Sequence, residues 1–217
     1  KAKDKGKGEV SLHLAFNSNL SVKEPDFVSH DNKRKFSVKS FITNKGNITN
    51  VRSSKDNRFI KIYEDNEEIK SIFDNQNWNN IFSITSDFIK SSSKNYNPKE
   101  FRKTIEHFVI EKDFSKEEKI LKLEKIKSFI NEIKSELIKD YESECIIGVN
   151  KNKEFFKIDK DNAIEKLGIY RIKGNEITYY NMSDTSRLTF SKVIDALIDE
   201  VNQLNESKFK RVYKHLF

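Results

Sequence analysis

Residues 115–141 restrict the fold more than any other stretch of this chain. Ser115-Lys116-Glu117-Glu118 is a capping box, in which a hydroxyl and a carboxylate each satisfy a backbone N–H at the start of a helix. Leu123, Ile126, Ile130, Ile133 and Leu137 follow in steps of three and four, flanked by Lys and Glu. A helix of this kind has to cover one apolar stripe. It can pair the stripe with a second copy, giving a dimer, or lay it on a neighbour in its own chain. A local neighbour is at hand. Asn97-Pro98 opens a helix, since Asn caps an N-terminus and Pro tolerates the first turn. Phe101, Ile105, Phe108 and Val109 form that helix's stripe, and Phe114 lies between the two. An αα-hairpin is therefore preferred to a dimer seam, and both readings stay open at this point.

Charged and hydrophobic residues each make up 35% of the 217 residues, so the apolar side chains available must be large ones. Seventeen Phe meet that need, and the length allows one substantial core with a small appended lobe. The formal net charge of +7 favours a polyanion partner, most simply nucleic acid. The plainer alternative is a solvated Lys-rich surface. A single Cys, Cys145, excludes an internal disulfide framework and a Cys-based zinc site. It lies in an apolar run and reads as a small buried residue, in a reducing, cytoplasmic setting. No run approaches the ~20 apolar residues of a membrane span, and no signal peptide is expected from the Lys-, Asp- and Gly-containing start.

Ahead of the helical middle, short runs alternate. Residues 47–53 and 58–63 both read as strands that extend an earlier hairpin into a mixed sheet of about four strands. Residues 67–73 and 78–89 read as helices. Beyond Cys145 come candidate strands at 146–149, 155–158, 169–172 and 176–180. Between them Asp161 caps a short helix with Gly168 at its C-terminal end. Ser191 is a candidate cap for a last helix, whose apolar face is Val193, Ile194, Leu197, Ile198, Val201 and Leu204. The change from helices to hairpins near residue 143 suggests two portions. Residues 1–142 form a core with a helical hairpin, and 143–217 form β-hairpins with a helix.

The chemistry centres on two neighbouring runs. Pro25-Asp26-Phe27-Val28 opens a short apolar segment, and Lys35-Phe36-Ser37-Val38-Lys39-Ser40 alternates strictly. Asp31-Asn32 suits the tight turn between them. A β-hairpin here brings Asp26 and Lys39 to one edge. A carboxylate that holds a divalent cation and an ammonium that orients or deprotonates water are the minimum parts of a metal-dependent phosphodiester cutter.

Pro25-Asp26 followed by Ser37-Val38-Lys39 resembles the PD-(D/E)XK motif of restriction endonucleases. Glu9 with Val10 to Phe16 resembles that family's opening helix, for which reason a helix is preferred there over a strand. The resemblance covers roughly the first fifth of the chain. It implies an α/β (α+β) fold, with a mixed central β-sheet flanked by helices in a restriction-endonuclease-like core. A helical middle and a C-terminal portion of β-hairpins and helix follow. It also implies that Asp26, Glu9 and the Val38 carbonyl hold Mg²⁺, that Lys39 positions the attacking water, and that the substrate is double-stranded DNA. A palindromic target would make the protein a two-fold homodimer. Ser37 stands where the family has an acidic residue, and Ser lacks a carboxylate's affinity for a hard cation. Either Glu9 or Glu24 supplies that charge, or the chain is an inactive relative.

For DNA contact, Lys33, Arg34 and Lys35 at the hairpin tip could clamp phosphates. Asn181, Ser183, Asp184 and Arg187 in a polar loop have the side chains that read base edges, as well as those of any long loop. The four His (His13, His30, His107 and His215) show no metal-ligand spacing, although His30 lies close enough to Asp26 to be a candidate base. Three functions remain in view. They are a sequence-specific Mg²⁺-dependent DNA endonuclease, a nucleic-acid-binding protein with a degraded site, and a helical interaction module.

Overall fold

The computed structural model describes residues 19–20, 27–29, 34–40, 48–49, 58–82, 96–139, 145–149, 155–159, 163–173, 176–181 and 188–203. Its buried centre is helical. Helix α1 (Arg58–Glu64) buries Phe59 and Tyr63, four residues apart on one face. Helix α2 (Glu67–Ile72) begins at Asn66, whose Oδ1 accepts from the N–H of Ile69 at 3.0 Å. It ends where Asp74 and Asn75 adopt φ of 51° and 57°, the left-handed region that Asp and Asn tolerate better than most residues. Helix α3 (Trp78–Phe82) is tied back to α1, because Glu64 Oε1 accepts from the N–H of Trp78 at 3.0 Å. The hydroxyl of Tyr63 donates to the carbonyl of Gln76 at 2.7 Å, so this deeply placed phenol is not left unsatisfied.

Helix α4 (Pro98–Ile105) starts as its sequence suggests. Asn97 Oδ1 accepts from the N–H groups of Lys99 and Glu100, and Pro98 occupies the first turn. The helix runs into a π-helical turn, Glu106–Ile110, that buries Phe108 and Val109. Helix α5 (Lys116–Lys139) carries the capping box as read. The N–H of Ser115 donates to Glu118 Oε2 at 2.8 Å, and the N–H of Glu118 donates to Ser115 Oγ at 3.2 Å. Its stripe of Leu123, Ile126, Phe129, Ile130 and Ile133 is buried. The chief partner of α5 is α7 (Phe190–Gln203), which contributes Val193, Ile194, Leu197 and Val201. The stripe is thus consumed within the chain and is not left for a dimer seam. The capping residue of α7 is Thr189, whose Oγ1 accepts from the N–H of Lys192, and not the expected Ser191. Phe101 of α4 stacks on Phe190 of α7 at 4.3 Å with the rings 9° apart, which joins the two helices at their starts.

The strands fall into two sheets. One runs in the order β1 (Asn19–Leu20), β2 (Phe27–Val28), β3 (Lys35–Ser40), β5 (Cys145–Val149), β6 (Phe155–Asp159). Its neighbours are antiparallel except for the parallel pair β3/β5. The other is antiparallel, in the order β4 (Ile48–Thr49), β8 (Glu176–Asn181), β7 (Leu167–Lys173). This smaller sheet packs on the helices: Leu167, Ile169, Ile172 and Ile177 belong to the same buried cluster. A register shift between Ile169 and Arg171 lets residues three apart, Ile169 and Ile172, both turn inward. The backbone of Tyr96 exchanges two 2.8 Å hydrogen bonds with Ile172 and so fastens the sheet to the start of α4.

Several expectations are corrected here. The α/β fold with a mixed central β-sheet flanked by helices is not the architecture of the described core. That core is helical, and the strands are divided between two sheets. Arg58–Tyr63 is a helix and not a strand. Both of its alternating faces are apolar, so the period-2 reading had no polar side to anchor it, while the spacing of Phe59 and Tyr63 satisfies a helix. Ile48–Thr49 does form a strand, but it pairs with β8 and does not extend the β2–β3 hairpin. Gly168 lies inside β7 opposite Tyr180, directly after the short helix α6 (Ala163–Lys166), and does not terminate that helix. The expected helix over 10–16 lies outside the described residues, and so does the part of the expected 78–89 helix that follows Phe82. Strand β3, from residues 1–142, lies beside β5, from residues 143–217.

Candidate nucleic-acid and metal site

The β2–β3 hairpin forms as its alternation implies. Phe27 stands opposite Phe36, and Val28 opposite Lys35. Ser29 closes the loop from both sides: its N–H donates to the carbonyl of Arg34 at 2.9 Å, and its Oγ accepts from the N–H of Arg34 at 3.0 Å. The second bond explains why a Ser follows the apolar pair, since its hydroxyl takes over where the ladder ends. Arg34 and Lys35 are exposed beside this closure, and they are the described members of the basic tip. Lys33 lies outside the described residues.

Ser37, Val38 and Lys39 all lie in β3, paired in parallel with Ile146, Ile147 and Gly148. Because strand residues alternate, Lys35, Ser37 and Lys39 share one face of the sheet, and Phe36 and Val38 share the other. Asp26 directly precedes Phe27 in the sequence, and Ser37 directly follows Phe36. The pair Phe27 and Phe36 therefore sits between the two halves of the motif along the chain. Asp26 and Glu9 lie outside the described residues, as do His13, His30 and His215. Among the described residues no group of three or more His, Cys, Asp or Glu is placed to hold a metal ion. His107 sits 3.6 Å from Glu111 in the π-helical turn, well apart in sequence from the hairpin.

The second proposed contact segment is attached elsewhere. Asn181 is the last residue of β8, opposite Leu167, in the smaller sheet. Ser183, Asp184 and Arg187 lie outside the described residues. Arg34 with Lys35 and Asn181 are thus carried by different sheets.

Two features escaped the sequence reading. Gly148 is the register partner of Lys39, a relation between residues far apart in sequence that no local pattern reveals. Lys134 is buried, with its ammonium donating to the carbonyl of Leu167 at 3.2 Å. Burial pushes Lys134 down to about 8, and the nearby Lys127 adds to the effect while Asp195 opposes it. A signal for it existed: Lys134 follows Ile130 by four residues and so falls on the apolar side of α5. No family model, no curated protein and no solved structure matches the chain.

Proposed function

We propose that this protein is a metal-dependent nuclease that hydrolyses phosphodiester bonds in double-stranded DNA. The reading is carried by the β2–β3 register, in which Phe27 lies opposite Phe36 and the sequences flanking that pair supply Asp26 on one side and Ser37-Val38-Lys39 on the other. The exposed Arg34 and Lys35 and the net charge of +7 support a polyanionic substrate. Oxygen donors suit Mg²⁺, and Asp26, Glu9 and the carbonyl of Val38 would hold it. When bound, the ion would offset the negative charge that grows on the phosphate. Lys39 holds and orients the attacking water by hydrogen bonding, and Arg34 and Lys35 bind backbone phosphates. Base recognition falls to Asn181, Ser183, Asp184 and Arg187. A palindromic target would be met by a two-fold pair of chains.

One specific observation favours a second reading, a nucleic-acid-binding protein without cleavage: a neutral Ser37 occupies the motif's acidic position. Plasmid nicking with Mg²⁺ decides between them. Cleavage by the wild type that disappears in Asp26→Ala, and rises in Ser37→Glu, is the expected result. Salt-sensitive DNA binding with no nicking by either protein would establish the second reading. Among the described residues no helix is long and apolar enough to cross a membrane.

A further inference from the structure

Three charged groups meet where α5 packs on α7 and on α6, just ahead of β7. Lys127 Nζ lies 2.6 Å from Asp195 Oδ1, and both side chains stay well in water, with 42% and 48% of their surface exposed. Lys134, about two turns further along α5, is only 3% exposed, and its ammonium donates to the neutral carbonyl of Leu167. The charges that act on it are the same Lys127, which repels it, and Asp195, which attracts it but is already engaged by Lys127. Two ammonium groups thus share one carboxylate, and the surplus charge falls on the group shut away from water. Other charged residues on these elements are Glu136 on α5, Lys192 and Asp199 on α7, Glu165 and Lys166 on α6 and Arg171 on β7, and all of them are half-buried or exposed. Strand β7 is held differently at its two ends. Leu167 is gripped by Lys134, whereas Ile172 is fastened by two backbone bonds to Tyr96. The register shift between Ile169 and Arg171 lies between those points and is a ready place for the strand to bend.

We propose that Lys134 is a proton-operated latch between α5 and the smaller sheet: the protonated side chain favours release to water, freeing the Leu167 end of β7, and loss of the proton favours the closed arrangement. The long Lys stem lets the ammonium reach solvent while α5 stays wound, and β7 swings about its register shift with Ile172 fixed. Burial holds the closed amine at about 8, against 10.5 in water. Opening therefore takes up a proton between those values. It grows harder as pH rises across them and is independent of pH well below about 8. The latch stands without the nuclease reading. Its link to that reading is Asn181, the register partner of Leu167, which belongs to the same end of the sheet.

Hydrogen exchange of the full chain, read by mass spectrometry, tests the latch by comparing residues 163–169 with residues 58–82 of the helical core. The pH dependence of exchange in an unstructured chain is divided out to leave the opening constant. Residues 163–169 should open locally, more often than the core does, and their opening constant should fall about 10-fold from pH 7 to pH 9, the change expected for a proton site that moves from 10.5 to about 8. Lys134→Met has no proton to gain, so its opening constant should not vary with pH. Lys134→Gln keeps a donor for the Leu167 carbonyl without the charge and should behave in the same way. Exchange of residues 163–169 only as fast as the core would show that the strand opens with the whole molecule and would overturn the latch. So would local opening that does not change between pH 7 and pH 9, or a change of the same size in Lys134→Met or Lys134→Gln. The wild-type profile decides the matter even where a variant fails to fold.

Discussion

In the helical core a side chain such as Tyr63 is held by many neighbours at once. Its ring lies 5.6–6.3 Å from those of Phe73, Trp78, Phe82 and Phe129, and its hydroxyl has a carbonyl to donate to. In the five-stranded sheet Lys39 is positioned by backbone register, through its pairing with Gly148. The core is specified redundantly, by burial and by aromatic packing. The candidate site is specified by a ladder whose bonds are nearly indifferent to side-chain identity. Backbone ladder bonds survive a change of side chain, so a separation of stability from chemistry is open to test at Lys39.

The largest expected effect tests that separation from the side of the site. Lys39→Ala should reduce Mg²⁺-dependent DNA cleavage by about 100- to 10,000-fold, the usual span for a group that handles a proton or positions water, with melting temperature unchanged. A large drop in melting temperature would show that the sheet is as redundantly packed as the helices. Phe101→Ala approaches the contrast from the other side. It removes the ring stacked on Phe190 and should cost about 3–5 kcal/mol in chemical denaturation, with cleavage per folded molecule retained.

Lys134 gives a smaller and pH-dependent effect. Its folded value is depressed from the ordinary 10.5 to about 8, so between those values the unfolded chain binds more protons than the folded one. Stability should therefore rise with pH across that window, by at most ~1.4 kcal/mol per unit. Tyr63 and Tyr96 are both raised by burial and act oppositely above pH 10.0, where the unfolded chain loses protons that the folded chain keeps. Denaturation between about pH 8 and about pH 10 is the informative range. Lys134→Met should flatten the slope there, and an unchanged slope would assign it to another group. The smallest effect belongs to Ser115→Ala, which removes half of the capping box of α5 and should cost about 1 kcal/mol.

The helices were legible to the degree that one local signal agreed with another. Asn97 with Pro98, and Ser115 with Glu118, mark helix starts through bonds made within three residues, and both are found as read. The stripe of α5 was legible too, but its chief partner was not. The preceding helix was the natural guess, whereas α7, about seventy residues on, takes that place. Arg58–Tyr63 failed because apolar residues on both alternating faces fit two periods equally. At the candidate site, the β2–β3 hairpin and the alternation of Ser37, Val38 and Lys39 were readable from local pattern. The pairing of β3 with β5 was not, since more than a hundred residues separate Phe36 from Cys145.

The chain by itself determined where α4 and α5 begin, which residues make the apolar stripe of α5, and that Arg34 and Lys35 lie beside a hairpin loop. Each of these depends on contacts within one or two turns, or across one tight connection. Tertiary structure alone decided that the strands divide into two sheets, that the longest helix spends its stripe inside its own chain, and that a glycine stands beside Lys39. Such choices are made by competition among distant partners for the same buried surface or the same ladder edge. No short window of residues contains the competitors.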